Sequence, residues 1–185
     1  MNDILKLPNV VRPLNLKDGT PQSKVGHGSI TFKLKNKTVR LTNLLGNTVD
    51  VKGIQDNPFL VFDKLLKTAK SDIHIVDLHT ETTSEKNAFL LTFAGKVTAI
   101  LGTHTHVQTA DEKIYKDTVY ITDVGMNGGS LGVIGAKADT ILDVFMQKAE
   151  RFRLEPSNTP YQFNAVLFSV DDKTNKPTSI QRIYL

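Results

Sequence analysis

The sequence predicts a mixed α/β protein whose sheet contains strands of both directions and packs against helices. Alternation of apolar and polar residues near both ends of the chain is typical of antiparallel strands. In the middle of the chain, β-rich apolar runs alternate with segments of helical periodicity, which favours parallel strands joined by helical crossovers. The chain has 185 residues and no internal repeat or linker, so we expect residues 1–185 to belong to a single domain.

The first part of the chain predicts an irregular segment, a hairpin and a helix. Prolines and glycines interrupt the amino-terminal segment too often for a long element. Asn57 is a suitable N-cap and Pro58 suits the first helical position, with apolar residues following at helical spacing. The predicted elements are an irregular segment to about Gly28, strands over 30–34 and 39–44 with a turn at Asn36-Lys37, and a helix from Asn57 to about Lys70.

The second part predicts a strand-helix-strand unit followed by a glycine-rich loop and a two-stranded tail. The apolar runs at 73–78 and 97–101 are rich in β-branched residues, and the segment between them has helical spacing. The predicted elements are strands over 73–78, 97–101 and 119–122, helices over 84–93 and about 139–152, a loop over 125–135, and strands over 163–170 and 179–184.

Composition excludes several classes of function. Hydrophobic residues make up 39% and charged residues 23% of the chain, which is typical of a globular protein. The net charge of +4 is dispersed, so the sequence gives no strong nucleic-acid signal but is compatible with a small anionic substrate. The absence of cysteine excludes disulfides, thiolate metal ligands and cysteine nucleophiles. Without an apolar leader or a run of about 20 apolar residues, we expect a cytoplasmic protein with no membrane association.

Three histidines follow predicted strands, where ligand sites of α/β sheets collect. His79 follows 73–78, whereas His104 and His106 follow 97–102. In extended backbone, residues two apart point to the same side, so two imidazoles of an H-x-H pattern can converge on one metal or one binuclear cluster. Imidazole is the best remaining ligand for a borderline metal when thiolates are absent. The H-x-H pattern alone is weak, and its position after a strand strengthens it.

Other polar residues have competing structural interpretations. His74 lies within a predicted strand, which favours a structural role, and His27 lies between two loop glycines and is uninformative. The nearby acids can be metal ligands, acceptors that orient an imidazole, N-caps or surface charges. Asp77 and Asp123 lie at strand ends, which favours the role of orienting an imidazole. Glu85 instead suits the first turn of the following helix. The acids considered are Asp77, Glu81, Glu85 and Asp123.

The run at 128–132 matches the G-x-S-x-G pattern of serine hydrolases, but its context argues against that function. The nucleophile elbow requires a strand directly before the serine, a helix directly after it and a histidine downstream. Ser130 lies in a long loop and no histidine follows His106. The Walker A and G-x-G-x-x-G phosphate-binding patterns are also missing from the sequence.

Several runs of the chain closely resemble motifs of one enzyme family. These runs are Arg12-Pro13-Leu14-Asn15, Gly19-Thr20-Pro21, Asp56-Asn57-Pro58-Phe59, Asp77-Leu78-His79-Thr80-Glu81 and its continuation to Lys86, Gly102-Thr103-His104-Thr105-His106 and its continuation to Thr109, and Ile121-Thr122-Asp123-Val124-Gly125-Met126. The sequence resembles bacterial calcineurin-like metallophosphoesterases, specifically the 2′,3′-cyclic-nucleotide 2′-phosphodiesterase subfamily. The resemblance covers nearly the whole chain.

The resemblance implies a four-layer metallophosphoesterase-type β-sandwich flanked by helices, of the α/β (α+β) class, with a binuclear centre of divalent iron, manganese or similar ions. It implies that His79 and His104 bind one metal and that His106 binds the other. Two metals can clamp a phosphate, activate water and stabilise the leaving oxygen. The candidates for second-shell or substrate contacts are Asp77, Glu81, Thr105 and Asp123, and no catalytic side chain is assigned.

The sequence also departs from that family. It lacks the early aspartate strand, the Glu-Asn pair and the Gly-Asn-His run. We therefore expect residues 1–185 to be the carboxyl-terminal portion of a single metallophosphoesterase domain whose amino-terminal strands are missing. Three imidazoles can hold one metal, but two mutually repelling divalent ions need a bridging carboxylate. We expect the chain alone to be inactive or nearly so, with a complementing amino-terminal chain or further copies of this chain in a homo-oligomer as the candidate partners.

Three functional hypotheses follow. The first is a metal-dependent phosphoesterase that hydrolyses cyclic nucleotides or related phosphodiesters and monoesters by two-metal water activation. The second is a catalytically inactive truncated remnant or a metal- or nucleotide-binding module. The third is a structural domain whose histidines are ordinary, in which case His79→Ala and His104→Ala would leave the metal content unchanged.

Overall fold

The computed structural model describes residues 3–49, 51, 54–151, 153–158 and 160–185. Two short 3₁₀ helices lie in the amino-terminal segment, at Ile4–Lys6 and Pro21–Lys24. The helices are α1 Pro58–Thr68, α2 Thr83–Phe93 and α3 Ala138–Phe145. The strands are β1 Ser29–Leu34, β2 Lys37–Leu45, β3 Ile73–His79, β4 Ala99–Thr103, β5 Lys113–Tyr115, β6 Thr118–Ile121, β7 Gly128–Gly129, β8 Tyr161–Gln162, β9 Asn164–Val170 and β10 Pro177–Tyr184.

Six of these strands form one mixed sheet in the order β1-β2-β3-β4-β6-β5. The four central strands are parallel to one another, whereas β1 and β5 pair antiparallel at the two edges. Strands β9 and β10 form an antiparallel pair, and β7 and β8 form a second short pair. The mixed α/β class and the mixture of strand directions are thus confirmed, while the four-layer sandwich stays a prediction.

The core lies between the central strands and the helices α1 and α2. Asn57 caps α1 by accepting from the Phe59 amide (2.9 Å). Aromatic residues spaced three or four apart on both helices face each other, and the Phe62 and Phe93 rings make an edge-on contact with centroids 5.0 Å apart. They pack against buried strand residues such as Val76 and Ile100. This packing fixes the position of the carboxyl ends of β3 and β4.

Some predicted boundaries were wrong. The hairpin turn is at Lys35-Asn36, one residue earlier than predicted. Helix α3 ends at Phe145, where Gln147 adopts a left-handed conformation (φ 59°); the predicted end at Phe152 falls outside the described residues.

Strand β5 was not predicted because it has only three residues, too few for a period-2 pattern. It joins β6 through Lys116 and Asp117, which both have positive φ. Such a turn normally carries glycine or asparagine. Among the described residues, no helix has both the length and the apolar character needed to cross a bilayer.

Candidate functional site

The candidate site lies at the carboxyl ends of the parallel strands β3 and β4. His79 is the last residue of β3 and is in register with Thr103, the last residue of β4. His104 follows directly. Because the two strands run side by side in the same direction, both histidines emerge at the same edge of the sheet.

The rings of His79 and His104 are in direct contact. Nε2 of His79 lies 3.0 Å from Nδ1 of His104, and the rings are nearly perpendicular, with centroids 4.7 Å apart. On its other side, His104 places Nε2 2.6 Å from Oε2 of Glu81, a carboxylate that is 59% exposed. The backbone of His104 has φ 117°, a conformation that a residue with a side chain rarely adopts, and such strain is concentrated at functional sites.

A hydrogen-bond relay fixes the tautomer of His79. The Thr103 hydroxyl donates to Oδ1 of Asp77 (2.8 Å), so its oxygen accepts from Nδ1–H of His79 (3.0 Å). Asn43 in turn donates its amide to Oδ2 of Asp77 (2.7 Å). Burial, with the neighbouring His104 as the second cause, lowers the pKa of His79. His79 is therefore neutral and presents the Nε2 lone pair towards His104.

We expect Thr103→Val to disrupt this relay. The substitution keeps the volume of the side chain but leaves Nδ1–H of His79 and Oδ1 of Asp77 without their common partner, which costs about 1–3 kcal/mol of folding free energy. Nitrogen-15 NMR of the imidazoles would show His79 losing its preference for the Nδ1–H tautomer. Thr103→Ser retains the hydroxyl, so this second variant is the control that should keep the tautomer. Equal spectra for both variants would contradict the relay.

A buried ion pair supports the loop that follows β4. Nζ of Lys86 lies 3.0 Å from Oδ2 of Asp123, and both side chains are 0% exposed. The same carboxylate accepts the backbone amides of Thr105 and Gly125, each at 2.9 Å. Asp123 therefore joins helix α2 to the loops after β4 and β6. It holds the backbone of the histidine loop, and Thr105 contributes its amide to that contact.

Sequence reasoning missed Lys86. The signal was available, because Lys86 lies three and four residues before Phe89 and Leu90 on the buried face of α2. A lysine on that face requires a buried partner. Glu85 lies in the first turn of α2 as predicted. Burial would raise the pKa of Glu85, but hydrogen bonds from Thr80, from Asn47 and from the residue after Asn47 lower it.

His106 does not share the contact between the other two predicted ligands. Its Nδ1 donates to the Ile134 carbonyl (2.9 Å), so Nε2 is the ring nitrogen left to contact another group. Its backbone also has positive φ (66°). In the part of the chain that is described, no three or more histidine, aspartate and glutamate side chains are grouped so as to hold a metal ion.

Gln108 connects the histidine loop to the tail. Its side-chain amide donates to the carbonyls of Val124 (3.3 Å), Ala165 (3.1 Å) and Ile183 (3.3 Å). Two of these carbonyls belong to β9 and β10, so the tail hairpin contacts the loop that carries His104 and His106.

Comparison with known proteins shows extensive similarity. The sequence model of the family described as YmdB-like protein matches residues 1–183. A Mycoplasma genitalium protein with the provisional name phosphatase/phosphodiesterase is 46% identical over 97% of this chain and 64% of its own length. A 2′,3′-cyclic-nucleotide 2′-phosphodiesterase of Bacillus subtilis is 40% identical over 97% of this chain and 66% of its own length. The chain thus spans about two thirds of the length of these relatives.

A solved structure supports the same relationship. The crystal structure of a novel phosphatase from Mycoplasma pneumoniae superposes with a TM-score of 0.94, at 42% identity, over 98% of this chain and 65% of that one. This similarity places the observed fold close to that of a phosphatase.

Proposed function

The chain belongs to the YmdB-like protein family, and from this membership together with the histidine pair we propose that it is a metal-dependent phosphoesterase. Its substrates would be cyclic nucleotides or related phosphodiesters and monoesters. His79 and His104 would bind one divalent cation, iron, manganese or similar. His106 would bind a second through Nε2 only with a bridging carboxylate supplied from outside the described residues. The names of the relatives support phosphoester hydrolysis, and the relay at His79 supports a cation.

The observation that carries this proposal is the distance between the two imidazoles. Two nitrogen ligands about 2.1 Å from one cation are about 3.0 Å apart at right angles and about 3.4 Å apart in tetrahedral coordination. Nε2 of His79 and Nδ1 of His104 form a hydrogen bond of 3.0 Å, so the two nitrogens that could bind one cation already face each other at nearly the separation required. The opposite nitrogen of each ring is held by a carboxylate, through Thr103 for His79 and directly by Glu81 for His104. This arrangement is common around metal-binding histidines because it fixes the tautomer and raises ligand basicity.

The residues of the chain have distinct roles in the proposed reaction. When bound, the cations lower the pKa of water and offset the charge of the phosphoryl oxygens. Asp77 and Thr103 keep the proton of His79 on Nδ1, and Glu81 would hold the Nε2 proton of His104. A hydrogen bond joins Nε2 of His79 to Nδ1 of His104, so a bound cation would replace the proton that the two nitrogens share. The Lys86–Asp123 pair holds the loop that follows His104 through the Thr105 amide. The other cation ligands come from solvent, the phosphoester or groups outside this pair.

The test is a calorimetric titration with Mn²⁺ of the chain and of His79→Ala, His104→Ala and His27→Ala. His27 is exposed and has no role in the site, so its variant is the matched control. We expect the first two substitutions to weaken Mn²⁺ binding at least 100-fold and the third to leave it unchanged. Circular dichroism of each variant checks folding. Equal affinities in all folded variants would overturn the cation site.

Turnover distinguishes the enzyme from the alternative function. Hydrolysis of bis-p-nitrophenyl phosphate that requires Mn²⁺ and is lost in His79→Ala would support a phosphoesterase. Mn²⁺ binding without turnover, even when a complementing amino-terminal segment is supplied, would instead favour a catalytically inactive metal- or nucleotide-binding module. That alternative is favoured by one observation, namely that the described residues bring together two imidazoles but no larger ligand group.

A further inference from the structure

A large cavity lies beside the histidine loop and has no assigned role. Its volume is about 740 Å³, within the range of small-molecule sites. The glycine-rich segment after β6, helix α3 and the segment before β8 line it. Its lining is mostly apolar and includes Met126, Val133, Ile134, Ile141, Leu154 and Tyr161.

The cavity adjoins the proposed cation site through His106, which lines its wall. His106 follows His104 by two residues, so their Cα atoms are at most about 7 Å apart. The ring of His106 is fixed to this wall because it donates to the Ile134 carbonyl. A phosphoester at the histidines can therefore extend its organic group into the cavity.

The charges of the wall favour an uncharged group. Among the described lining residues there is no lysine or arginine, so the cavity is poorly suited to a phosphate. The negative charge of the Glu155 carboxylate is offset by Nζ of Lys137 (2.7 Å) and Nε of Arg153 (2.9 Å). The phosphate end of a substrate would accordingly remain at the histidines, with its uncharged end in the cavity.

The polar groups of the wall favour a nucleobase over an acyl chain. The exposed amide side chains of Asn127 and Asn158 interrupt the apolar lining. The Oδ1 atom of Asn127 already accepts the Asn164 backbone amide (2.6 Å), but an acyl chain would cover the NH₂ group of Asn127 and the Asn158 amide without pairing them, which is unfavourable. A base can stack on an aromatic ring and pair its edge with amides. Tyr161 is 73% exposed at this wall and offers such a ring.

We propose that this cavity binds the nucleobase of a nucleoside phosphoester. The inference rests on the proposed function, because it assigns the organic half of the substrate of that same site.

The experiment measures binding of adenosine to the whole chain, without divalent cation, by saturation-transfer NMR and equilibrium dialysis. Adenosine has no phosphate, so its binding does not depend on the proposed cation site. We expect transfer to the base protons, and an increase in Kd of at least about fivefold in Tyr161→Ala, as loss of one stacked base predicts. Leu154→Asp places a charge in the wall and should weaken binding similarly.

Leu91→Asp is the control for Leu154→Asp, because Leu91 is also exposed (65%) but lies on α2 away from the cavity lining. It should leave the Kd unchanged. Absence of adenosine binding, or equal binding by all variants, would overturn the inference, as would transfer to octyl phosphate alone. If adenosine binds in the cavity but no phosphoester is hydrolysed, the proposed function fails while the base site stands. If a phosphoester is hydrolysed but adenosine does not bind, the base site is overturned while the proposed function stands.

Discussion

Lys86→Met is expected to lower the free energy of unfolding by about 3–5 kcal/mol, because it leaves the Asp123 carboxylate buried without its cation. Both side chains are fully buried and their charged atoms are 3.0 Å apart. Methionine fills most of the volume of lysine, so the loss reports the charge rather than a cavity. Urea denaturation followed by circular dichroism measures the effect.

Lys67→Met is the matched control for Lys86→Met. Lys67 also pairs with an aspartate one helical turn away (Asp63, 2.7 Å), but that pair is exposed to solvent. Exposed pairs contribute little to stability, so this variant should unfold at nearly the same urea concentration as the unmodified chain. Similar midpoints for the Lys86 and Lys67 variants would contradict the importance of the buried pair. The amides of Thr105 and Gly125 would then be enough to stabilise the carboxylate.

Acidification is expected to destabilise the fold through His74. This histidine is 5% exposed and places Nε2 2.9 Å from the Thr42 hydroxyl. Burial, assisted by the charge of Arg40, lowers the pKa of His74 to about 4. Because the folded-state pKa lies below the unfolded value of about 6.5, the neutral form favours folding. That contribution is fully present above pH 6.5 and is lost as the pH falls to about 4.

The loss attributable to His74 is roughly 3 kcal/mol, since each unit of pKa difference corresponds to about 1.4 kcal/mol. Urea unfolding between pH 7.5 and pH 4 measures it, with His74→Gln as the comparison. Glutamine can still bond the Thr42 hydroxyl but does not titrate, so its stability should fall less steeply over this interval. Parallel curves for the two proteins would show that other groups dominate the acid response.

Much of the fold could be predicted from local patterns. Alternation in 30–34, capping at Asn57 and the apolar run at 73–78 each specify one element, and the structure contains all three. The predicted ends of helices and strands were less accurate where an element ends at a residue with positive φ that is not a glycine. The left-handed residues at Lys116, Asp117 and Gln147 end or join elements without the glycine that would have indicated this.

The candidate site could be predicted only in part. The positions of His79 and His104 after strands indicated one edge of a sheet, and their rings do meet there. The Thr103 relay depends on the register of β3 with β4, which no local pattern specifies. The separate contact of His106 with Ile134 depends on a loop 28 residues further along the chain. The roles of all three histidines as metal ligands stay predictions.

The side chain of Gln108 gives the last strands of the chain a mechanical role. It anchors the histidine loop to carbonyls of β9 and β10, which lie 57 and 75 residues further along the chain. The tail hairpin thus supports the histidine loop of the proposed site, although we assign it no reactive group there. Proteolysis or an insertion at the turn between β9 and β10 would weaken these contacts. The first effect we expect is greater mobility of the loop that carries His104 and His106.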